Sequence, residues 1–123
     1  MPSARLNEAE IVEMLTGLEG WSRTHAREAI SKSFKFADFR QAFAFMTEVA
    51  LYAEKIDHHP EWTNVWNRVD LVLSTHSANG LSALDGKLAK AVDKAASRFQ
   101  SMPLESSRMR GHIISPVAVW QPA

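Results

Sequence analysis

A chain of 123 residues that is 46% hydrophobic has apolar side chains enough for one core and too little length for two typical domains. Its 14 basic and 14 acidic residues cancel, so no net field draws it to nucleic acid or to an anionic membrane surface. Cysteine is absent, which excludes disulfides, thiolate metal sites and thiol nucleophiles and fits a reducing compartment.

Along the chain, residues 1–10 lack the apolar stretch of a signal peptide. Ile11, Met14, Leu15 and Leu18 then recur at helical spacing and predict a first helix. Asn7 with Glu10 three residues on marks its start, Leu6 is set to pack on Ile11, and Gly17 and Gly20 end it. The pattern next shortens to alternation, with Ile30, Lys32, Phe34 and Phe36 on one parity and Ser31, Ser33 and Lys35 on the other. Strands are expected at 21–24 and 29–36, joined by a turn near 25–28. Asp38, with Gln41 at its third helical position, opens a second helix. That helix carries Phe39, Ala42, Phe43, Met46, Val49, Ala50 and Ala53 on one face, widened by Phe45, Tyr52 and Ile56. So broad an apolar surface predicts packing against its own sheet and against something else, such as another subunit.

Pro60 is expected to stop this helix, because the residue before a proline is pushed out of the helical region, and so His58 and His59 fall in an exit loop. Two strand-like runs at 63–66 and 69–75, separated by Asn67 and Arg68, read as a hairpin. Val69, Leu71, Leu73 and Thr75 share one of its faces; Asp70, Val72, Ser74 and His76 share the other. Ser82 and Asp85 read as a capping pair ahead of a third helix with Leu84, Leu88, Ala91, Val92, Ala95 and Phe99. Nowhere do the roughly 18 uninterrupted apolar residues of a membrane span occur.

The order α-β-β-α-β-β-α predicts an α+β fold, a four-stranded antiparallel sheet with helices packed on one face. One domain over residues 1–100 is expected, soluble and cytoplasmic. Residues 101–123, with Pro103, Pro116 and Pro122 and little periodicity, read as a C-terminal tail that carries Ile113, Ile114, Val117, Val119 and Trp120.

Three of the five histidines lie within 19 residues: His58 and His59 in a loop, and His76 where a strand should end. Imidazole titrates near neutrality, so one ring can take a proton while another gives one, as an elimination of water requires. The same set reads equally as loop-capping or surface histidines. It also has the ligand count of a zinc site, without the short helical spacing of H-E-x-x-H. His25 and His112 are isolated and expected to be exposed. Glu54 and Asp57 are candidates to orient imidazoles, or are simply solvated; Trp62 and Trp66 either stack on a flat heterocycle or fill the core. Lys87, Lys90, Lys94 and Arg98 read as the wet face of the third helix, and no glycine-rich phosphate loop, nucleophile elbow or nucleotide motif is present.

The run Glu54-Lys55-Ile56-Asp57-His58-His59-Pro60-Glu61-Trp62, continuing through Asn64-Val65-Trp66-Asn67 to Leu73-Ser74-Thr75-His76, resembles the signature of the pterin-4a-carbinolamine dehydratase family. With the order of elements the resemblance extends from about Leu6 to Phe99 and leaves the tail uncovered. It implies a homodimer or homotetramer that needs neither metal nor cofactor. It also implies the dehydration of 4a-hydroxytetrahydropterin to quinonoid dihydropterin, in support of recycling the tetrahydropterin that an aromatic amino acid hydroxylase uses. By position, His58 and His76 would form the acid-base pair and His59 would bind and orient the substrate. Glu54 and Asp57 would support them, and Asp85, first a capping residue, joins these supporting carboxylates. The pterin would lie among His58, His59, Pro60, Trp66, Thr75, His76, Ser77 and Ala78. Two positions depart from the pattern: Trp66 stands where many members have tyrosine, and Leu84 where many have arginine. Animal members that resemble this chain also act as dimerization cofactors of a homeodomain transcription factor, which gives an alternative reading as a protein-binding module.

Overall fold

A computed structural model of the protein describes residues 4–100, and its first helix, α1 (Glu8–Thr16), starts where the capping signal stands. Asn7 Oδ1 accepts from the Glu10 N–H at 2.9 Å, and Glu10 Oε1 accepts from the Asn7 N–H at 2.8 Å. Two orphan amides of the first turn are thereby satisfied, and Ile11 is carried into the core. The chain then forms β1 (Ser22–Arg23), β2 (Ile30–Lys35), α2 (Phe39–Ile56), β3 (Glu61–Val65), β4 (Arg68–Leu73) and, after a 3-10 turn at His76–Ala78, α3 (Ala83–Gln100). The strands make one antiparallel sheet in the order β1-β2-β4-β3. The expected tail, with His112, lies outside the described residues.

Alternation places the core. Ile30 pairs with Leu73 and Phe34 with Val69, and all four are buried on the side that α2 and α3 cover. Ser33 and Asp70, also paired, occupy the opposite parity and face outward with Lys35 and Arg68. On that polar face the Ser33 hydroxyl above all, with help from the Arg68 guanidinium, holds the Asp70 carboxyl below the usual carboxylate range, against an opposing effect of burial second only to that of Ser33. The aromatic centre of the core is Phe45, fully buried, with its ring 5.2 Å from Phe34 and 4.8 Å from Phe36. Burying such a side chain contributes roughly 1.5–3 kcal/mol.

Three expectations need correction. The face of α2 that meets the sheet is Ala42, Phe45, Val49 and Ala53, so Phe45 belongs to the core stripe and does not merely widen it. The small alanines let the helix approach the sheet, and the ring cluster draws Phe45 inward. Phe39, Phe43 and Leu51 turn outward at 43%, 56% and 69% exposure, which makes them the surplus apolar surface. The hairpin turn is Trp66-Asn67 and β4 begins at Arg68, one residue before expectation. Trp66 takes the left-handed conformation (φ 50°) there, and the Asn64 side chain donates to the Trp66 and Arg68 carbonyls at 3.1 and 2.8 Å. Spacing carries no trace of that clamp.

The third correction concerns how α2 ends. The helix stops at Ile56, well before Pro60 acts, because Asp57 adopts the left-handed conformation (φ 54°, ψ 45°). Its N–H donates to the Glu54 carbonyl at 3.2 Å, and the His58 N–H donates to the Ala53 carbonyl at 3.0 Å. That is the Schellman pattern, with aspartate where glycine is usual. It reverses the chain so that His58 turns back under the helix. Among the described residues no helix is long and apolar enough to cross a membrane.

A left-handed non-glycine residue costs about 1–2 kcal/mol, less for aspartate than for a branched side chain. Asp57→Gly is therefore expected to leave stability unchanged or slightly raised, whereas Asp57→Val lowers it by about 1–2 kcal/mol. Urea unfolding of the two variants checks this, and equal losses would remove the left-handed cap as the cause.

Candidate active site

Antiparallel pairing of Glu61 with Val72 brings the start of β3 and the end of β4 to the same end of the hairpin. The loop that carries His58 and His59 and the loop that carries Thr75 and His76 therefore meet there. The N-terminus of α3 arrives at the same place with Ser82 and Asp85.

His58 is buried, and its Nε2 lies 2.7 Å from Asp85 Oδ1. Asp85 has no exposed surface at all, and its second oxygen accepts from the Thr75 hydroxyl at 2.8 Å and from the Ser82 N–H at 2.9 Å. Thr75 and Ser82 share a further hydrogen bond of 2.6 Å between their hydroxyls. Burying an unpaired carboxylate is prohibitive, so this set of donors is what makes the position of Asp85 tolerable. The expected capping pair is thus half formed, since Asp85 caps the Ser82 N–H while the Ser82 hydroxyl accepts from the Leu84 N–H at 3.2 Å.

The other predicted residues divide clearly. His59 is exposed and lies 2.8 Å from Glu54 Oε1, an ion pair at the rim when the imidazole is protonated. Pro60 follows it, partly buried. His76 opens the 3-10 turn with an exposed side chain, followed by exposed Ser77 and partly buried Ala78. That loop is closed by Thr75 and Gly80, whose backbones exchange hydrogen bonds of 2.8 and 3.3 Å. Beside it is a cleft of about 150 Å³ bordered by Arg27, Glu28, Ser74, His76 and Asn79.

Asp57 supports His58 through its backbone cap, and among the described residues its carboxylate has no hydrogen bond to a histidine. Thr75 is 2% exposed, and its hydroxyl serves Asp85. Trp66 stands at the opposite end of the hairpin, beyond the Val65–Arg68 pair, and the fold of one chain does not bring it to the histidines. Trp62 packs partly buried against the core, and His25 is exposed. A larger groove of about 750 Å³ between α1 and α3 contains none of the histidines, so size does not mark the site. Among the described residues no group of three or more histidines and carboxylates is placed to hold a metal ion.

Comparison with known proteins decides the family. Residues 4–95 match the profile described as pterin 4 alpha carbinolamine dehydratase. The chain belongs to that family. Proteins of Brucella ovis and Brucella canis, provisionally named pterin-4-alpha-carbinolamine dehydratases, are each 54% identical over 96 residues, covering 78% of this chain and 99% of theirs. A crystal structure from Brucella melitensis, described as a transcriptional coactivator/pterin dehydratase, superposes with a TM-score of 0.73 at 55% identity, over 75% of this chain and 98% of that one. A pterin dehydratase-like protein described as a RuBisCO assembly factor in the alpha-carboxysome shares the fold, with a TM-score of 0.56 at 22% identity over 63% of this chain and 90% of its own. Against the family pattern, Leu84 lies partly exposed in the first turn of α3 and outside the core cluster, so this departure is not a repacking of the interior.

Removing Asp85 strands two donors, the Thr75 hydroxyl and the Ser82 N–H, and leaves the His58 imidazole without its partner, at roughly 1–3 kcal/mol for each group left buried and unpaired. Asp85→Ala is accordingly expected to lower stability by about 2–4 kcal/mol. Glu54→Gln, which breaks an exposed pair, changes it by no more than about 1 kcal/mol. Chemical denaturation compares the two, and a smaller loss for Asp85→Ala would contradict the buried network.

Proposed function

We propose that the protein dehydrates a 4a-hydroxytetrahydropterin to the quinonoid dihydropterin by histidine acid-base catalysis, and that it does so in the cytoplasm in support of tetrahydropterin recycling. The observation that carries this reading is the meeting of buried, carboxylate-held His58 with exposed His76 at one end of the hairpin, in a chain of this family. In the reaction the C4a–O bond breaks and a ring nitrogen gives up its proton. The electron pair so released forms the new C=N bond, and the departing hydroxide takes a proton and leaves as water. One base and one acid suffice, and His58 and His76 fill those roles. His59, tied to Glu54 at the rim, binds and orients the substrate, and the backbone at 58–60 and 75–78 holds the flat ring. No step calls on a metal or a cofactor.

The exposed Phe39, Phe43 and Leu51 support self-association through α2 into a homodimer or homotetramer, with the Phe39 and Phe43 rings 5.6 Å apart as a ready apolar patch. The same patch supports a second reading, a protein-binding role, in line with the words "transcriptional coactivator" in the description of the Brucella melitensis protein. An aromatic amino acid hydroxylase would be the pathway partner of the enzyme.

Stopped-flow absorbance of freshly generated 4a-hydroxytetrahydropterin tests the main reading. Acceleration is expected without added metal and in the presence of chelator, and His58→Ala and His76→Ala each lower turnover by about 100-fold or more. His25→Ala leaves it unchanged. Equal, small effects at all three positions, or activity that needs zinc, would contradict the assignment. Light scattering at micromolar concentration should show at least a dimer that Phe43→Asp drives toward monomer; a monomeric parent protein would remove the α2 interface.

A further inference from the structure

Counting protons fixes the direction of the hydroxyl and amide hydrogen bonds around Asp85. A hydroxyl has one proton to give. The Thr75 hydroxyl gives its proton to Asp85 Oδ2, so the proton in the 2.6 Å contact between Thr75 and Ser82 belongs to Ser82. The Ser82 oxygen in turn accepts from the Leu84 N–H in the first turn of α3. A single directed chain results, from the Leu84 amide to the Ser82 hydroxyl, to the Thr75 hydroxyl, to the Asp85 carboxylate. Every contact Asp85 makes there is one that a carboxylate accepts, including that from the Ser82 N–H. With Asp85 ionised, Oδ1 too can only accept, and its partner is His58 Nε2 at 2.7 Å. His58 Nε2 therefore carries a proton.

We infer that Thr75 and Ser82 are positioning residues that, through Asp85, hold His58 as its Nε2–H tautomer and leave Nδ1 as the nitrogen that exchanges a proton with substrate. The inference rests on the dehydratase reading for its catalytic half, while the tautomer stands on the geometry and on Asp85 being a carboxylate. Among the described residues Nδ1 of His58 has no hydrogen-bond partner, although the ring is buried, so this nitrogen is the one left for a ligand. The arrangement gives His58 the form of a base in its neutral state and sets it apart from His59, whose carboxylate partner is exposed, and from exposed His76. Position 84 joins the chain through its amide, which any residue except proline supplies, so leucine in place of the usual arginine leaves the relay intact.

The test combines a spectrum with kinetics. Long-range ¹H–¹⁵N correlation spectra of the histidine rings identify the His58 tautomer directly, with Asp85→Asn to assign the signal. In the parent protein the Nε2–H form is expected. Thr75→Val, which keeps the shape and removes the hydroxyl, is expected to mix the tautomers and to lower kcat by about tenfold, the scale on which supporting partners act. KM stays within about twofold, and Thr75→Ser restores both readouts. Ser82→Ala is read in the same way if Thr75→Val does not fold. An Nδ1–H tautomer in the parent protein overturns the inference whatever the activity. A folded Thr75→Val variant with unchanged tautomer and turnover overturns it as well. If the parent shows the Nε2–H form and Thr75→Val loses it, yet no dehydration occurs in either, the dehydratase reading fails while the positioning role stands.

Discussion

The rest of the site depends on one carboxylate that water never reaches. Asp85 joins three segments: the exit of α2 through His58, the exit of β4 through Thr75, and the entry of α3 through Ser82. A charge buried in this way is tolerated only with all its acceptor positions answered, so the three segments keep their places together or not at all. The result is a rigid imidazole delivered to an otherwise polar loop junction. The neighbouring His59 and His76 are held far less firmly, one by an exposed carboxylate and the other by the backbone of a short 3-10 turn. Rigid on one side and open on the other, the junction suits a flat ligand that enters from solvent.

Much of this was legible in the chain itself. The Asn7 and Asp38 caps, the alternation through Ile30 to Phe36 and the hairpin run through Leu73 gave the α+β fold and the order of its elements. The run from Glu54 to His76 spans the two histidine loops that the fold brings to one end of the hairpin. What spacing does not carry is contact between segments. Asp85 read as a capping residue because its Ser82 partner is local in sequence, while His58 lies 27 residues away. Alternation put Thr75 on the face of Val69, Leu71 and Leu73, where its side chain is buried, but carries no sign that its hydroxyl meets Asp85. Helical periodicity likewise gave α2 an apolar face too broad to say which residues meet the sheet, and packing around the aromatic cluster selected Phe45 over Phe43. Pro60 is the visible stop signal for α2, whereas the left-handed Asp57 that ends it leaves no mark in sequence comparable to glycine.

Two surfaces lie outside the junction and set its context. The outward stripe of α2 joins Phe39, Phe43 and Leu51, and a contact there would leave the histidine loops free, so association and catalysis are physically compatible on one chain. Trp66, at the far end of the hairpin in a left-handed turn fixed by Asn64 and Asn67, has no route to the histidines within its own chain. Any part it takes in ligand binding would require a second copy. Leu84, in contrast, sits beside Asp85 and changes the border of the site without touching its core.

The central claim is that a pterin binds at the junction of the 58–60 and 75–78 loops. A crystal structure with an unreactive dihydropterin measures this most directly. The account predicts the ring against those loops, with a ring nitrogen in hydrogen-bond reach of His58 Nδ1 and His76 on the opposite side. A ring seated in the groove between α1 and α3, or against Trp66 with the histidines untouched, would contradict it.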